Sequence, residues 1–218
     1  MVGALNALPA YLAVPAVALM LTAMFISDER RLARAVKMYS LQSALLATVF
    51  ALMALHGDIY LLAWAASAIV TKTVLVPLIL LRLVKRTEGY EAKPLLGSTA
   101  TWLASGVGAA AGIALGLSSL GGVQGLLLGV SVALFLIGLV QMTVRRSLVK
   151  QLLGFCHFEN GSHLTLAVMA PGLPETVEIG IATDAVLLIL VGSFVAYIIW
   201  CSYRTLDYTR LRMVREEG

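Results

Sequence analysis

Residues 155–163 read FCHFENGSH, a run of ionisable and thiol side chains in an otherwise apolar stretch. Cys156, Glu159, Asn160 and His163 stand at offsets of 0, 3, 4 and 7, which places them on one stripe of a helix. His157 projects about 100° from Cys156 and leaves that stripe. A metal centre needs three or four converging ligands. The stripe offers Glu159 and His163 as its best pair, with Asp184 the one obvious addition, so a metal site is disfavoured. Nucleophilic catalysis by Cys156 is equally disfavoured, because an apolar helix lacks the electropositive setting that produces a reactive thiolate. Proton transfer asks less: exchangeable groups at helical spacing, and water. Glu159, His163 and Asp184 supply such groups, and Lys72 adds a fourth. The plain structural alternative is that Asn160, Ser162 and His163 hydrogen-bond to neighbouring helices. That alternative is preferred for the histidines alone, and function for Glu159, Lys72 and Asp184.

The elements that would hold these groups follow from composition. The chain has 218 residues, 60 % of them apolar and 13 % charged, with a mean hydropathy of +0.91. A soluble domain of this length would show more charge and clear polar faces. Apolar runs of about 20 residues recur, enough to cross a ~30 Å hydrocarbon core as helices. Seven spans are predicted: 8–26, 36–55, 59–83, 98–117, 125–143, 149–170 and 176–203. No strand-like alternation supports a barrel. The N-terminal MVGALNALPAYLAVP lacks the basic region of a secretory signal, so the first run reads as a retained span. Cys156 and Cys201 lie on separate spans and suggest neither a disulfide framework nor a zinc site. Lys72 falls about 20 Å along span three and Glu159 near the middle of span six, both expensive places for charge. Asp184 is nearer the outer surface.

Charge distribution sets the expected orientation. Arg30, Arg31, Arg34 and Lys37 follow span one, while Arg82, Lys85, Arg86 and Lys93 flank the loop after span three. Arg145, Arg146 and Lys150 follow span five, and Arg204, Arg210, Arg212 and Arg215 lie in the tail. Every lysine and arginine except Lys72 therefore falls on one face, which the positive-inside rule makes cytoplasmic. The expectation is an all-α integral membrane protein of seven transmembrane helices, N-terminus outside and C-terminus cytoplasmic. The formal charge of +4 is then a topology signal, with little support for nucleic-acid binding.

A weak internal echo joins spans one to three with spans five to seven. Each unit carries an Arg-Arg pair at its first cytoplasmic turn and an ionisable residue after threonine on its third helix, Lys72 or Asp184. With span four intervening, the two would be parallel repeats; chance likeness between apolar helices is the alternative. The division is 1–85 as an N-terminal three-helix unit, 86–97 as a cytoplasmic linker and 98–124 as a connecting helix and loop. Residues 125–203 form the second three-helix unit and 204–218 a cytoplasmic tail. In span three, Pro77 should free a backbone carbonyl one turn earlier, close to Lys72. The run SGVGAAAGIALG in span four suits tight helix packing. KRTEGYEAKP and the tail could touch a soluble partner or be solvated ends. No phosphate loop, dinucleotide fingerprint or haem motif occurs.

The segments RRSLVKQLLGFCHFENGSHLTLAV, PETVEIGIATDAVLL and LLAWAASAIVTKTVLVPLI resemble the hydrogenase-4 component E family. The last three helices are also similar to the small subunit K of complex I and to the C subunit of multisubunit sodium/proton antiporters. The resemblance covers most of the chain, and ENGSH and EIGIATDA are its most specific strings. It implies an integral subunit of a group 4 nickel–iron hydrogenase or formate-hydrogenlyase-like complex. Subunit K typically carries one membrane glutamate on its middle helix and another on its third. Aligned without gaps, the first falls on Cys156, with Glu159 one turn away, and the second on Asp184.

The resulting expectation is a membrane subunit that takes part in proton or ion translocation, or couples it to redox chemistry. Glu159 and Asp184 would face each other across helices, with His163 and Lys72 as neighbouring stations. The alternatives are a scaffold subunit that conducts nothing, and a subunit of a stand-alone cation/proton antiporter. An enzyme acting alone is not expected. No cofactor is expected in this chain; the nickel–iron centre and iron–sulfur clusters would lie in partner subunits. The expected partners are antiporter-like membrane subunits, the soluble hydrogenase arm and the bilayer of a bacterial or archaeal cytoplasmic (inner) membrane.

Overall fold

The computed structural model describes residues 8–57, 59–87, 89, 94–170 and 173–211. Among the described residues the regular structure is helical, with one isolated bridge between Ser147 and Asp207. A 3-10 turn, Ala10–Leu12, leads into α1 (Ala13–Asp28), followed by α2 (Leu32–Ala54). The next span is continuous but internally divided into α3 (Tyr60–Ala68), a π-helical segment (Ile69–Leu75) and α4 (Val76–Arg86). Then come α5 (Ser98–Leu120), α6 (Gly122–Val144), α7 (Leu148–Met169) and α8 (Glu175–Tyr203).

Six of these stretches are long and apolar enough to cross a membrane: Ala10–Asp28, Leu32–Ala54, Tyr60–Arg86, Ser98–Leu120, Gly122–Val144 and Ile179–Tyr203. The protein is a multi-pass membrane protein. The seventh expected span, 149–170, is also helical as α7, but the FCHFENGSH run makes it too polar to meet that criterion. It is instead the most internal of the helices in character. Val149, Leu153, Cys156, His157, Glu159, Asn160, Gly161, His163, Leu164 and Ala167 are all buried along it.

The small-residue run in α5 packs as its composition suggested. Gly108, Gly112 and Gly116 recur every four residues and face α6. A Cβ at Gly116 would sit 2.2 Å from the backbone nitrogen of Gly129, and one at Gly112 2.5 Å from that of Ala133. Any side chain there would force the helices apart, so backbone contact itself is the interface. The same device continues from α6 to α7, where a Cβ at Gly161 would lie 2.5 Å from the Ser131 carbonyl oxygen. Gly121 (φ 67°) and Gly122 (φ 53°) turn the chain sharply between α5 and α6, in a region that favours glycine.

Two apolar clusters fill the bundle. One gathers Leu12, Leu19, Phe50, Trp64, Leu134 and Leu164. The other gathers Ile26, Tyr39, Leu80, Leu153, Cys156 and Trp200 towards the basic end. Along α7 the first cluster begins at Leu164 and the second ends at Cys156, so Glu159, Asn160 and His163 lie between them. The start of the tail is built into the fold. Thr205, Leu206 and Asp207 are buried, and Leu148 N–H donates to the Leu206 carbonyl at 3.3 Å.

Candidate functional site

Pro77 determines the local shape of the third span. It has no N–H to give the Thr73 carbonyl, and the Ser40 hydroxyl of α2 donates to that oxygen instead, at 2.6 Å. Immediately before it the helix loosens into the π-helical turn, with Val76 N–H donating to the Thr71 carbonyl. The π-helical segment contains Lys72 and turns its side chain inward, where it is 1 % exposed. A wider turn of this kind inserts one residue into the helical register and is common at functional positions.

Across from it, α7 presents the stripe read from the sequence. Cys156, Glu159, Asn160 and His163 are all buried. Lys72 Nζ lies 3.2 Å from Glu159 Oε1, and His163 Nδ1 lies 3.5 Å from the same oxygen. Lys72 Nζ also contacts His163 Nδ1 directly. Three exchangeable groups from two helices thus meet at one point. Burying the ammonium and carboxylate costs several kcal/mol per ion, against which their mutual attraction acts. Trp64 lies beside His163, with ring centroids 6.4 Å apart.

More polar groups extend from this triad towards the basic end. Among the described residues, Asn160 makes no hydrogen bond through either amide atom, and neither ring nitrogen of His157 makes one. Tyr39 of α2 lies 6.0 Å from the His157 ring, centroid to centroid, and its buried hydroxyl sits beside Ser43 and Cys156. Tyr39 and His157 were not assigned site roles from the sequence, and the hydrogen bonds to neighbouring helices expected of Asn160 are not made among the described residues. The signal for His157 was present as a second histidine in the motif, whereas nothing in its own sequence context marks Tyr39.

Asp184 is not brought to this group. It is exposed on α8, whose inward face is set by Ala182, Ala185, Ile189, Ser193, Ala196 and Trp200. Asp184 precedes Ala185 by one residue and is therefore rotated about 100° off that face. The expected opposition of Glu159 and Asp184 is replaced by opposition of Glu159 and Lys72. Among the described residues no three His, Cys, Asp or Glu side chains gather as a metal set.

A second polar group sits at the basic end. Asp28 at the end of α1 accepts from Ser98 Oγ at 2.5 Å, Trp102 Nε1 at 3.1 Å and Arg145 at 3.4 Å. Lys150, counted above among cytoplasmic loop charges, is buried inside α7. Its ammonium donates to the Ile26 carbonyl at 2.8 Å and to the Glu29 carbonyl, neutralising the negative end of α1. Gln141 donates to the Lys150 carbonyl at 2.8 Å and accepts from Ser27 at 2.9 Å. Just outside α1, the Arg31 N–H bonds the Glu29 carboxylate at 2.9 Å. That bond, against an opposing effect of burial and with help from Arg34, holds Glu29 below its usual carboxylate range.

Comparison with known proteins agrees with the motif reading. Hydrogenase-4 component E of Escherichia coli strain K12 is 36 % identical over 202 residues, 90 % of this chain and 94 % of the relative. The proteins of the same name from Escherichia coli O157:H7 and Shigella flexneri match to the same extent. Residues 126–216 match the family described as NADH-ubiquinone/plastoquinone oxidoreductase chain 4L. No solved structure matches the chain. With such identity along nearly its whole length, the chain belongs to the hydrogenase-4 component E family.

Proposed function

We propose that this protein is an integral subunit of a complex-I-related, membrane-bound hydrogenase, and that Lys72, Glu159 and His163 form a protonatable station within it. The buried meeting of Lys72 and Glu159 at 3.2 Å, with His163 alongside, is the observation that carries the reading. Proton-active groups inside a membrane bundle are costly and mark ion pathways by default. A proton gained or lost by the triad changes its net charge, and in low-dielectric surroundings that change is strongly coupled to charges nearby. Movement in an adjacent redox-driven subunit could set that balance. Asn160, His157 and Tyr39 line a polar continuation towards the basic end, while Asp184 would act through a neighbouring subunit that meets the outer end of α8.

The reading includes α7 as a seventh span, which puts the basic end in the cytoplasm with the N-terminus outside, in a bacterial or archaeal inner membrane. The chain itself carries no cofactor; soluble partner subunits hold the nickel–iron centre and iron–sulfur clusters. A scaffold role is the second reading, favoured by the glycine-lined α5–α6–α7 seam. Reconstitution of the intact complex in vesicles separates the two. Glu159→Gln should leave assembly and hydrogen chemistry intact while reducing redox-linked proton uptake severalfold. If assembly and proton movement fall together, the scaffold reading holds; if neither changes, the station is abandoned.

A further inference from the structure

The seam between α4 and α8 contains a cleft of ≈ 220 Å³ at the basic end that the proton-transfer reading does not use. Arg82 and Arg86, one turn apart on α4, form one wall, with Leu190, Ser193, Phe194 and Tyr197 of α8 opposite. Both arginines are exposed, and among the described residues neither makes an ion pair. Arg86 instead stacks its guanidinium 5.2 Å from the centre of the Tyr197 ring, which fixes its position at the cleft mouth. Ser193 lies in the cleft at 7 % exposure, and its hydroxyl has no hydrogen-bond partner among the described residues. Two exposed guanidinium forks and a buried hydroxyl make a built site for a phosphodiester.

The walls below that site are apolar, and the seam continues into a second groove lined by Leu75, Val186 and Leu187. From Arg86 to Leu75 is about 16 Å along the helix, comparable with one leaflet of a ~30 Å hydrocarbon core. Phe194 and Leu187, at 65 % and 52 % exposure, lie along that length. The basic end thus presents anion-binding groups where a headgroup would lie, and apolar grooves where acyl chains would lie. We infer that the α4–α8 seam is a binding site for one anionic phospholipid, its phosphate held by Arg82, Arg86 and Ser193. The lipid fills the seam and joins α8 to the rest of the bundle.

The test is native mass spectrometry of the detergent-purified full chain, titrated with phosphatidylglycerol, phosphatidylcholine or inorganic phosphate. Wild type should retain phosphatidylglycerol in preference to phosphatidylcholine, and inorganic phosphate should not displace it. Arg82→Gln with Arg86→Gln should weaken retention roughly thirtyfold, from two headgroup-level charges. Arg82→Lys with Arg86→Lys should recover part of it, which shows that the variants fold. Ser193→Ala should weaken it by a smaller factor. Arg30→Gln with Arg31→Gln removes equal charge from the same end, away from the cleft, and should leave retention unchanged. Equal binding of phosphatidylcholine, displacement by inorganic phosphate, or a paired loss in the Arg30/Arg31 control would each overturn the proposal. So would a purified intact complex whose phosphatidylglycerol content is indifferent to Arg82 and Arg86, because a protein would then cover the seam.

Discussion

The bundle has two buried polar groups built on opposite plans. At the basic end, Lys150 spends its ammonium on the Ile26 and Glu29 carbonyls, and Asp28 receives bonds from Ser98, Trp102 and Arg145. These contacts tie α1 to α5, α6 and α7, and each charge meets several partners. At mid-bundle, Lys72 and Glu159 meet beside His163, and among the described residues the Asn160 amide and the His157 ring next to them make no hydrogen bond. A polar group whose charges are each held by named partners has one favoured arrangement and acts as a clamp. A sparsely satisfied one has alternatives close in energy, which suits a group that must change protonation.

This contrast can be broken at several points. The largest effect should come from Lys72→Met, which strands the Glu159 carboxylate in an apolar interior. We expect a loss of about 3–5 kcal/mol, read as a lowered unfolding midpoint of the purified chain. Adding Glu159→Gln to it should restore about 1–3 kcal/mol, so the pair of changes costs less than the first alone in a double-mutant cycle. Lys150→Met should come next, at about 2–3 kcal/mol, because it leaves the carbonyls at the end of α1 without their cation, and no second change at those carbonyls can restore it. Asp28→Asn should cost about 1–2 kcal/mol, since one amide oxygen can still serve Ser98 or Trp102 while the Arg145 contact is lost.

The smallest expected effect concerns pH. The Arg31 N–H holds Glu29 below its ordinary carboxylate range in the folded protein. Its contribution is therefore fully present above the unfolded range and is lost as pH falls through the lower, folded range. Wild type and Glu29→Gln should differ by under about 1 kcal/mol near neutrality, and their unfolding midpoints should converge on acidification. A difference that grows in acid would reverse the assignment.

The sequence exposed the stripe of Cys156, Glu159, Asn160 and His163 because polar residues on an apolar helix reveal its period. Pro77 likewise predicted a freed carbonyl near Lys72, and Ser40 takes it up. The direction of Asp184 was hidden for the converse reason. Helix α8 is apolar nearly all round, so no periodicity marks its inner face, and Ala182 and Ala185 carry that information by size alone. Lys150 read as a loop charge because counting cations by face ignores the carbonyls a helix end offers. The Asp28 group joins side chains 70 to 117 residues apart, a relation that no local spacing encodes.

The π-helical turn at Ile69–Leu75 also acts as a phase shifter within one rod. Its additional residue offsets the faces of α3 and α4 by about 100° relative to a continuous α-helix. Trp64 thus serves the cluster on one side, while Leu80 and Leu83 serve the cluster on the other. Deleting one residue from this turn would restore an unbroken α-helix and put its two halves out of phase. Lys72 could then meet Glu159, or Leu80 could keep its seat in the core, but a straight rod could not do both.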